Sequence, residues 1–344
     1  MNLVNLSSVV RHPSSESMHI LITGAAGMIG RKLTARLVGD GALGGRPIEK
    51  LTLVDVTAPV RPDHFAARTD TIVGDLAAPG IARAAIGGTP DVIFHLAAVV
   101  SGEAELDFEK GLRVNFDGSR ALLEAIRAAG GGYRPRVVFS SSIAVFGAPF
   151  PEAIPDEFAL TPLTSYGTQK AMVELLLADY ARRGFLDGVG IRLPNIVVRP
   201  GRPNKAASGF FSSIIREPLN GEEAVLPVEE GVRNWHASPR AAVGFLLHAA
   251  ALTRGELGPR VNLTMPGVCC TVAEQIAALR RIAGDKVAAR IRREPDALIA
   301  RIVAGWPSRF DPRRALALGF RAESSFDDII RAHIEDELGG RIAA

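Results

Sequence analysis

The feature that most restricts the fold is a set of three glycines, Gly24, Gly27 and Gly30 in TGAAGMIG, set between two stretches of different periodicity. Before them, His19 to Thr23 is a short apolar run of strand length. After them, Ile29, Leu33 and Leu37 recur at helical spacing within Met28 to Val38. A strand that turns on glycine directly into a helix lets the backbone approach an anion resting on the helix N-terminus, as the pyrophosphate of a dinucleotide does. The triplet also fits a tight turn without a ligand, but its place at the first strand-to-helix junction favours the ligand. On this reading Gly24, Gly27, Met28, Ile29 and Gly30 line a cofactor site.

The next apolar run ends at Asp55. A carboxylate there would accept hydrogen bonds from the adenosine ribose and repel a 2′-phosphate, selecting NAD over NADP. Asp55 lies farther from the glycines than the usual interval of about 20 residues, and the polar, glycine-rich stretch Gly39 to Glu49 reads as a loop that accounts for the excess. The alternative for Asp55 is a solvated strand-end carboxylate. Further apolar runs recur at 71–73, 92–96, 137–140 and 190–193, with helical spacing at 120–129 and 165–183. Strands alternating with helices predict an α/β fold: a doubly wound parallel Rossmann sheet covered on both faces, with a smaller C-terminal α/β substrate lobe. Asp75 and Leu76 in GDL, and Leu96, Ala97 and Ala98 in HLAA, fall at strand ends on the ligand-binding edge of such a sheet. His95 in the same run reads as a packing residue rather than a catalyst.

After Asn195 the pattern changes. Pro and Gly crowd 200–227, and helix-like stretches follow at 237–252 and 271–283. The expected division places 18–193 and 236–264 in the NAD-binding domain and 194–235 and 265–335 in the substrate lobe. Residues 1–17 read as a flexible extension, without the basic start and apolar core of a signal peptide, and Met18 stands as a candidate start. No apolar run approaches the roughly 20 residues that span a bilayer. Lys and Arg number 40 against 37 Asp and Glu, and they are scattered, which argues against a nucleic-acid-binding face and leaves a small acidic substrate compatible. Cys269 and Cys270 are adjacent, where a disulfide would be strained, and supply no ligand set for a structural metal, so a cytoplasmic enzyme without a metal is expected.

Oxidising a secondary alcohol with NAD leaves the protein to supply a base for the hydroxyl proton. Tyr166 and Lys170, at i and i+4, share one helical face, and a nearby ammonium would favour the phenolate. Upstream, the run Ser140, Ser141, Ser142 ends a strand where a hydroxyl can hold the substrate oxygen beside the phenol, although a strand-end serine is often structural.

Taken in order, TGAAGMIG, GDL, HLAA, FSSSIAVFG, SYGTQK and RLPNIVVRPG resemble the extended short-chain dehydrogenase/reductase family, which includes nucleotide-sugar epimerases and dehydratases. The resemblance covers nearly the whole chain from Met18. It implies Tyr166 as catalytic base, Lys170 as its electrostatic partner and ribose ligand, Ser142 as substrate-hydroxyl ligand and Asn115 as a helix-interior member of a proton relay. The context RVNFDGSR also permits a purely local hydrogen bond from Asn115. Asn115, Ser140, Tyr166, Lys170, Leu193 and Pro194 join the implied cofactor contacts. Within the family, SGEAELDFEKG, PLTSYGTQKA, ASGFFSSIIREPL and RNWHASPRAAVGFLLHAA are most similar to members that oxidise the C2 hydroxyl of a four-carbon sugar acid. A homodimer built on the helix carrying Tyr166 is also implied.

For the acid, Arg233 is the first candidate to hold the carboxylate, with a surface or interdomain ion pair as the alternative. Ser101, Asn195 and His236 are candidate polar contacts, His236 equally a packing residue. Phe146 stands where many nucleotide-sugar members carry a tyrosine, which disfavours such a substrate. Two other readings are a nucleotide-sugar epimerase or dehydratase and a non-catalytic NAD-sensing regulator. An intact Ser142, Tyr166 and Lys170 argues against the regulator.

Overall fold

The computed structural model describes residues 17–201 and 207–343. The expected N-terminal extension therefore lies, apart from Ser17, outside the described residues. Alternation of side chains decides the layering. In β1 (Met18–Thr23), Ile20 and Ile22 pack on one face with Leu33 and Leu37 of α1 (Met28–Asp40), while Leu21 packs on the other.

From α1 the chain turns through β2 (Ala42–Leu43) into β3 (Arg46–Asp55), then passes through β4 (Arg68–Val73), α2 (Ile81–Ala85) and β5 (Val92–His95). Two short helices, α3 (Ser101–Leu106) and α4 (Phe108–Gly111), lead by a π-helical turn at Leu112–Asp117 into α5 (Gly118–Ala129). Next come β6 (Arg136–Ser142), β7 (Ile154–Pro155), α6 (Ser165–Arg182) and β8 (Asp187–Leu193). Beyond them lie β9 (Asn195–Ile196), α7 (Phe210–Leu219), β10 (Ala224–Leu226), β11 (Arg233–Ala237), α8 (Pro239–Ala251), α9 (Arg254–Leu257), β12 (Asn262–Thr264), β13 (Val268–Thr271) and α10 (Val272–Ala283).

The main sheet runs β4-β3-β1-β5-β6-β8-β12, every neighbour parallel, with β2 antiparallel on the start of β3. This is the predicted doubly wound sheet. The chain reverses direction across the sheet between β1 and β5, so the carboxyl ends of these strands open a crevice at the switch point. One face is covered by α1 and α8, through Leu33, Leu37, Phe245 and Leu246. The other is covered by α5 and α6, through Leu122, Leu123, Val173 and Leu177. No helix among the described residues is long and apolar enough to cross a membrane.

Residues 39–49 are not the expected loop. Ala42 pairs with Pro47 and Leu43 with Arg46, so Gly44 and Gly45 close a two-residue hairpin and β3 starts at Arg46. The long interval to Asp55 is therefore an early-starting strand, not slack chain.

A second core gathers Phe211, Ile214 and Ile215 of α7 with Ile276 and Leu279 of α10 and Ile329 and Ile330 of the helix Phe326–Leu338. A small sheet, β13-β11-β9, stands between the two cores. Ala315 and Phe320, expected in the lobe, pack instead into the main-sheet core, where Phe320 meets the rings of Phe245 and His248.

Candidate active site

At the end of β1, Gly24 has φ +73°, and a Cβ there would stand 2.6 Å from the Ala97 nitrogen. Only glycine fits. The Ala26 N–H donates to Asp55 Oδ2 at 2.9 Å, and the Thr57 N–H to Oδ1 at 3.0 Å, so the carboxylate is fixed beside the glycine loop. No acidic side chain occupies the first turn of α1 and no side chain caps it, which leaves the positive end of this 13-residue helix open to an anion. The loop thus fits a dinucleotide, and Asp55 lies at its rim.

The carboxyl end of β6 supplies the second part. Ser141 Oγ donates to Glu174 at 2.6 Å and Ser140 Oγ to the His95 carbonyl at 3.2 Å, so both hydroxyls serve structure. Ser142 Oγ accepts the Ala144 N–H at 3.2 Å and stands next to the Tyr166 phenol. The opposing helix α6 starts at a Thr164 cap that accepts the Gly167 N–H at 3.1 Å. Gly167 is there for closeness: a Cβ would lie 2.1 Å from the Ala144 carbonyl oxygen. That contact seats Tyr166 against the turn after Ser142. One turn on, Lys170 Nζ donates to the Ser140 carbonyl at 2.8 Å and lies 5.7 Å from the Tyr166 ring centre.

Glycine loop, β6 end and α6 enclose a cavity of about 500 Å³ that continues past β9 to α7 and Trp306. The structure brings together in its wall most of the predicted residues: the loop set Gly24, Gly27, Met28, Ile29 and Gly30; Leu96, Ala98 and Ser101; Ser140, Ser142, Tyr166 and Lys170; and Leu193, Pro194 and Asn195. Six predicted residues lie elsewhere. Asp55 and Ala97 adjoin the glycine loop without lining the cavity, Asp55 through the Ala26 N–H and Ala97 through its backbone against Gly24. Asp75 is held by the Ala77 N–H at 2.9 Å and Arg113 at 3.2 Å, and Leu76 is buried in the core under α5.

Asn115 is buried behind the cavity wall, and its side-chain bonds are not local. Its Oδ1 accepts the Val99 N–H at 2.9 Å and its Nδ2 donates to Gln169 Oε1 at 2.7 Å, tying the loop after β5 to α6. Arg233 corrects the sequence reading outright. It is exposed at the start of β11 and paired with Glu274 at 3.7 Å, because strand alternation turns it away from the cavity that its neighbour Asn234 lines.

His95 packs as expected, bonded to Thr23 at 2.8 Å and Ser119 at 2.7 Å, and its pKa is pushed down to about 3 by burial. His236 is also packed, between Phe211 and Phe326, and bonds Gln275 at 2.9 Å. Phe146 is buried in the cavity wall with the Arg192 guanidinium over its ring at 4.8 Å.

The sequence reading missed two cations in the wall, Arg199 and Arg216, with the polar side chains of Ser208, Ser212 and Asn234. Arg199 sits inside the run RLPNIVVRPG, but nothing in spacing separates a cavity-facing arginine from the other basic residues. Tyr166, Lys170, Arg199 and Arg216 are the ionisable residues among the described lining, and none of it is His, Asp or Glu. The cavity is therefore built for anions and contains one phenol to take a proton. Burial pushes Lys170 down to about 7, with Glu174 pulling the other way. It also raises the Tyr166 phenol, against the lowering effects of Ser142 and the Arg199 charge. The expected lowering of Tyr166 is thus outweighed by desolvation, and the permanent cation acting on it is Arg199.

A model of the "NAD dependent epimerase/dehydratase family" matches residues 20–263. A protein of Cupriavidus necator named D-erythronate dehydrogenase is 50% identical over 93% of this chain and 98% of its own length. One of the same name from Haemophilus influenzae is 42% identical over 93% of this chain and 100% of its own. Among solved structures, a protein of Agrobacterium tumefaciens named nucleoside-diphosphate-sugar epimerase superposes with a TM-score of 0.93 at 64% identity, covering 95% of this chain and 96% of that one. The glycine loop, the Tyr166–Lys170 helix and the matched span of 244 residues agree: this chain belongs to the NAD dependent epimerase/dehydratase family.

Proposed function

We propose that this enzyme oxidises the C2 hydroxyl of D-erythronate, a four-carbon sugar acid, to the 2-oxo acid. The observation that carries the reading is a cavity holding a dinucleotide loop, a half-buried Tyr166 with buried Lys170 beside Ser142, and arginines without an acidic side chain among the described lining. NAD, when bound, supplies the hydride acceptor. Ser142 and Tyr166 orient the substrate hydroxyl, and Tyr166, having first released its own phenol proton to water through the cavity, takes the hydroxyl proton on the phenolate oxygen as the hydride departs. Lys170, fixed on the Ser140 carbonyl, places its amino group beside the phenol, where it would also hold the nicotinamide ribose. Ser101 contacts a remaining hydroxyl, and Asn195 lines the same wall. The names of the two well-covered relatives support the substrate.

A second reading is nucleotide-sugar epimerisation, favoured by the name of the 64% identical structure. It uses the same residues but returns the hydride to its substrate. NADH formation over a panel of C4 to C6 sugar acids and nucleotide sugars separates the two. Net NADH with D-erythronate supports oxidation, and its absence with every acid overturns it.

In this reading residues 194–235 and 265–335, apart from the segment of Ala315 and Phe320, form the substrate lobe, and the cytoplasmic enzyme works as a homodimer built on α6. Exposed Leu175 of α6, with exposed Leu106 and Phe108 on the helices that touch it, favours that face.

A further inference from the structure

The cavity carries a cation that the reaction as described does not use. We propose that Arg199 anchors the substrate carboxylate, with the Asn195 amide as second donor, and so presents the carbon next to the carboxylate to Tyr166. The inference rests on the sugar-acid reading and deepens it, since that reading leaves the carboxylate without a partner.

Arg199 is held in one orientation by neutral groups alone. Its Nε–H donates to the Ile196 carbonyl at 2.9 Å, and Nη2 donates to Asn195 Oδ1 at 2.9 Å and Ser208 Oγ at 3.0 Å. The backbone is fixed too: the Arg199 N–H donates to Ser212 Oγ at 3.1 Å, and its carbonyl accepts Arg216 Nη1 at 2.6 Å. These contacts leave Nη1 without a protein partner among the described residues, on a side chain that lines the cavity. The same holds for Asn195, whose Nδ2 is buried without a hydrogen-bond partner while its Oδ1 is committed to Arg199. Two donors on two mutually bonded side chains therefore lack acceptors in one place. A carboxylate has two oxygens to offer them.

Charge makes the same selection. A guanidinium removed from water needs an opposite charge. Arg192 has Glu174 at 2.8 Å, and Arg216 has Glu217 at 2.5 Å. Arg199 has no carboxylate within ion-pair distance among the described residues, and the neighbouring Arg216 only adds like charge. Guanidinium and phenol line the same cavity, and each acts on the other: burial and the charge of Arg216 pull the Arg199 pKa down, while the Tyr166 phenol pulls it up. Carboxylate and C2 hydroxyl sit on adjacent carbons, so an anchor and a base serving a 2-hydroxy acid must face one cavity, as these two do. Arg233, exposed and paired with Glu274, does not meet that condition.

The test compares D-erythronate with its neutral isostere D-erythronamide in the wild-type enzyme, Arg199→Lys and Arg199→Met. Arg199→Met is expected to lower kcat/KM for the acid by about 10²- to 10³-fold more than for the amide, with the excess in KM; loss of the charge beside the Tyr166 phenol lowers kcat for both alike. Arg199→Lys, keeping charge without the fork, falls between them. NAD affinity, read by NADH fluorescence, stays unchanged. Because Arg199 also braces β9, a local collapse would lower acid and amide equally, and equal loss overturns the proposal.

If the wild-type enzyme oxidises no sugar acid, the functional reading fails, but the anchor is still decided. Melting of the NADH complex with D-erythronate then shows a rise in the wild type that Arg199→Met abolishes. A rise of the same size in both rules Arg199 out.

Discussion

Replacing Tyr166 by phenylalanine isolates the proton step. The ring keeps its volume between Ser142 and Lys170, Ser142 Oγ still accepts the Ala144 N–H at 3.2 Å, and the Ser142 O–H that loses the phenol stands half-buried on the cavity wall, open to another acceptor. The stability change is therefore held under about 1 kcal/mol, and the cofactor loop is untouched. The chemical cost is large because nothing in the wall replaces the phenol. The other ionisable lining residues are Lys170, tied to the Ser140 carbonyl at 2.8 Å, and two arginines, which do not act as bases. Loss of a positioned general base is worth about 10²- to 10⁴-fold, or roughly 3 to 5 kcal/mol of barrier, and the upper half of that range is expected. Stopped-flow NADH formation under saturating NAD and D-erythronate measures it, with NADH titration confirming that binding persists. A Tyr166→Phe enzyme retaining more than about a tenth of wild-type kcat would refute the argument.

Two further outcomes follow from packing and burial. Gly167→Ala places a Cβ 2.1 Å from the Ala144 carbonyl, so α6 must shift and both kcat and thermal stability fall, by about 1 to 3 kcal/mol in denaturant unfolding. An unchanged midpoint would show that α6 does not need that closeness. His95 and His236, each pushed down to about 3 by burial, and His333, pushed down to about 4, are buried neutral. Their folded values lie below the ordinary value near 6.5, so the unfolded chain binds more protons at acid pH and stability falls as pH drops below about 6.5. Lys170, at about 7, adds a rise in stability from about pH 7 to 10 that Lys170→Met removes. Melting curves across this range check both, and a flat profile would contradict the burial of these groups.

Local chemistry made much of this legible before the fold was known. The Gly24 turn, the seat of α1 and the helical pair Tyr166–Lys170 are set by short-range spacing, which a sequence displays directly. What failed depended on which way a strand or turn faces. Arg233 and Asn234 are neighbours, yet strand alternation sends one to Glu274 and the other to the cavity. Arg199 could not be singled out because its role depends on Asn195, Ser208 and Ser212 closing round it, and on the absence of a nearby carboxylate. Residues 39–49 read as a loop because their glycines and polar residues show a break in periodicity, while the pairing that makes Gly44–Gly45 a two-residue turn appears only in the fold. Asn115 escaped because its partners, Val99 and Gln169, come from elements 16 and 54 residues away.

The central claim is hydride removal from the carbon beside the carboxylate, with net reduction of the cofactor. It is tested most directly by D-erythronate carrying deuterium at C2. The account predicts one equivalent of deuterated NADH per 2-oxo acid formed and a slowed single-turnover rate. Deuterium retained in the acid, transfer from C3 instead, or label returning to a sugar product without net NADH would contradict it.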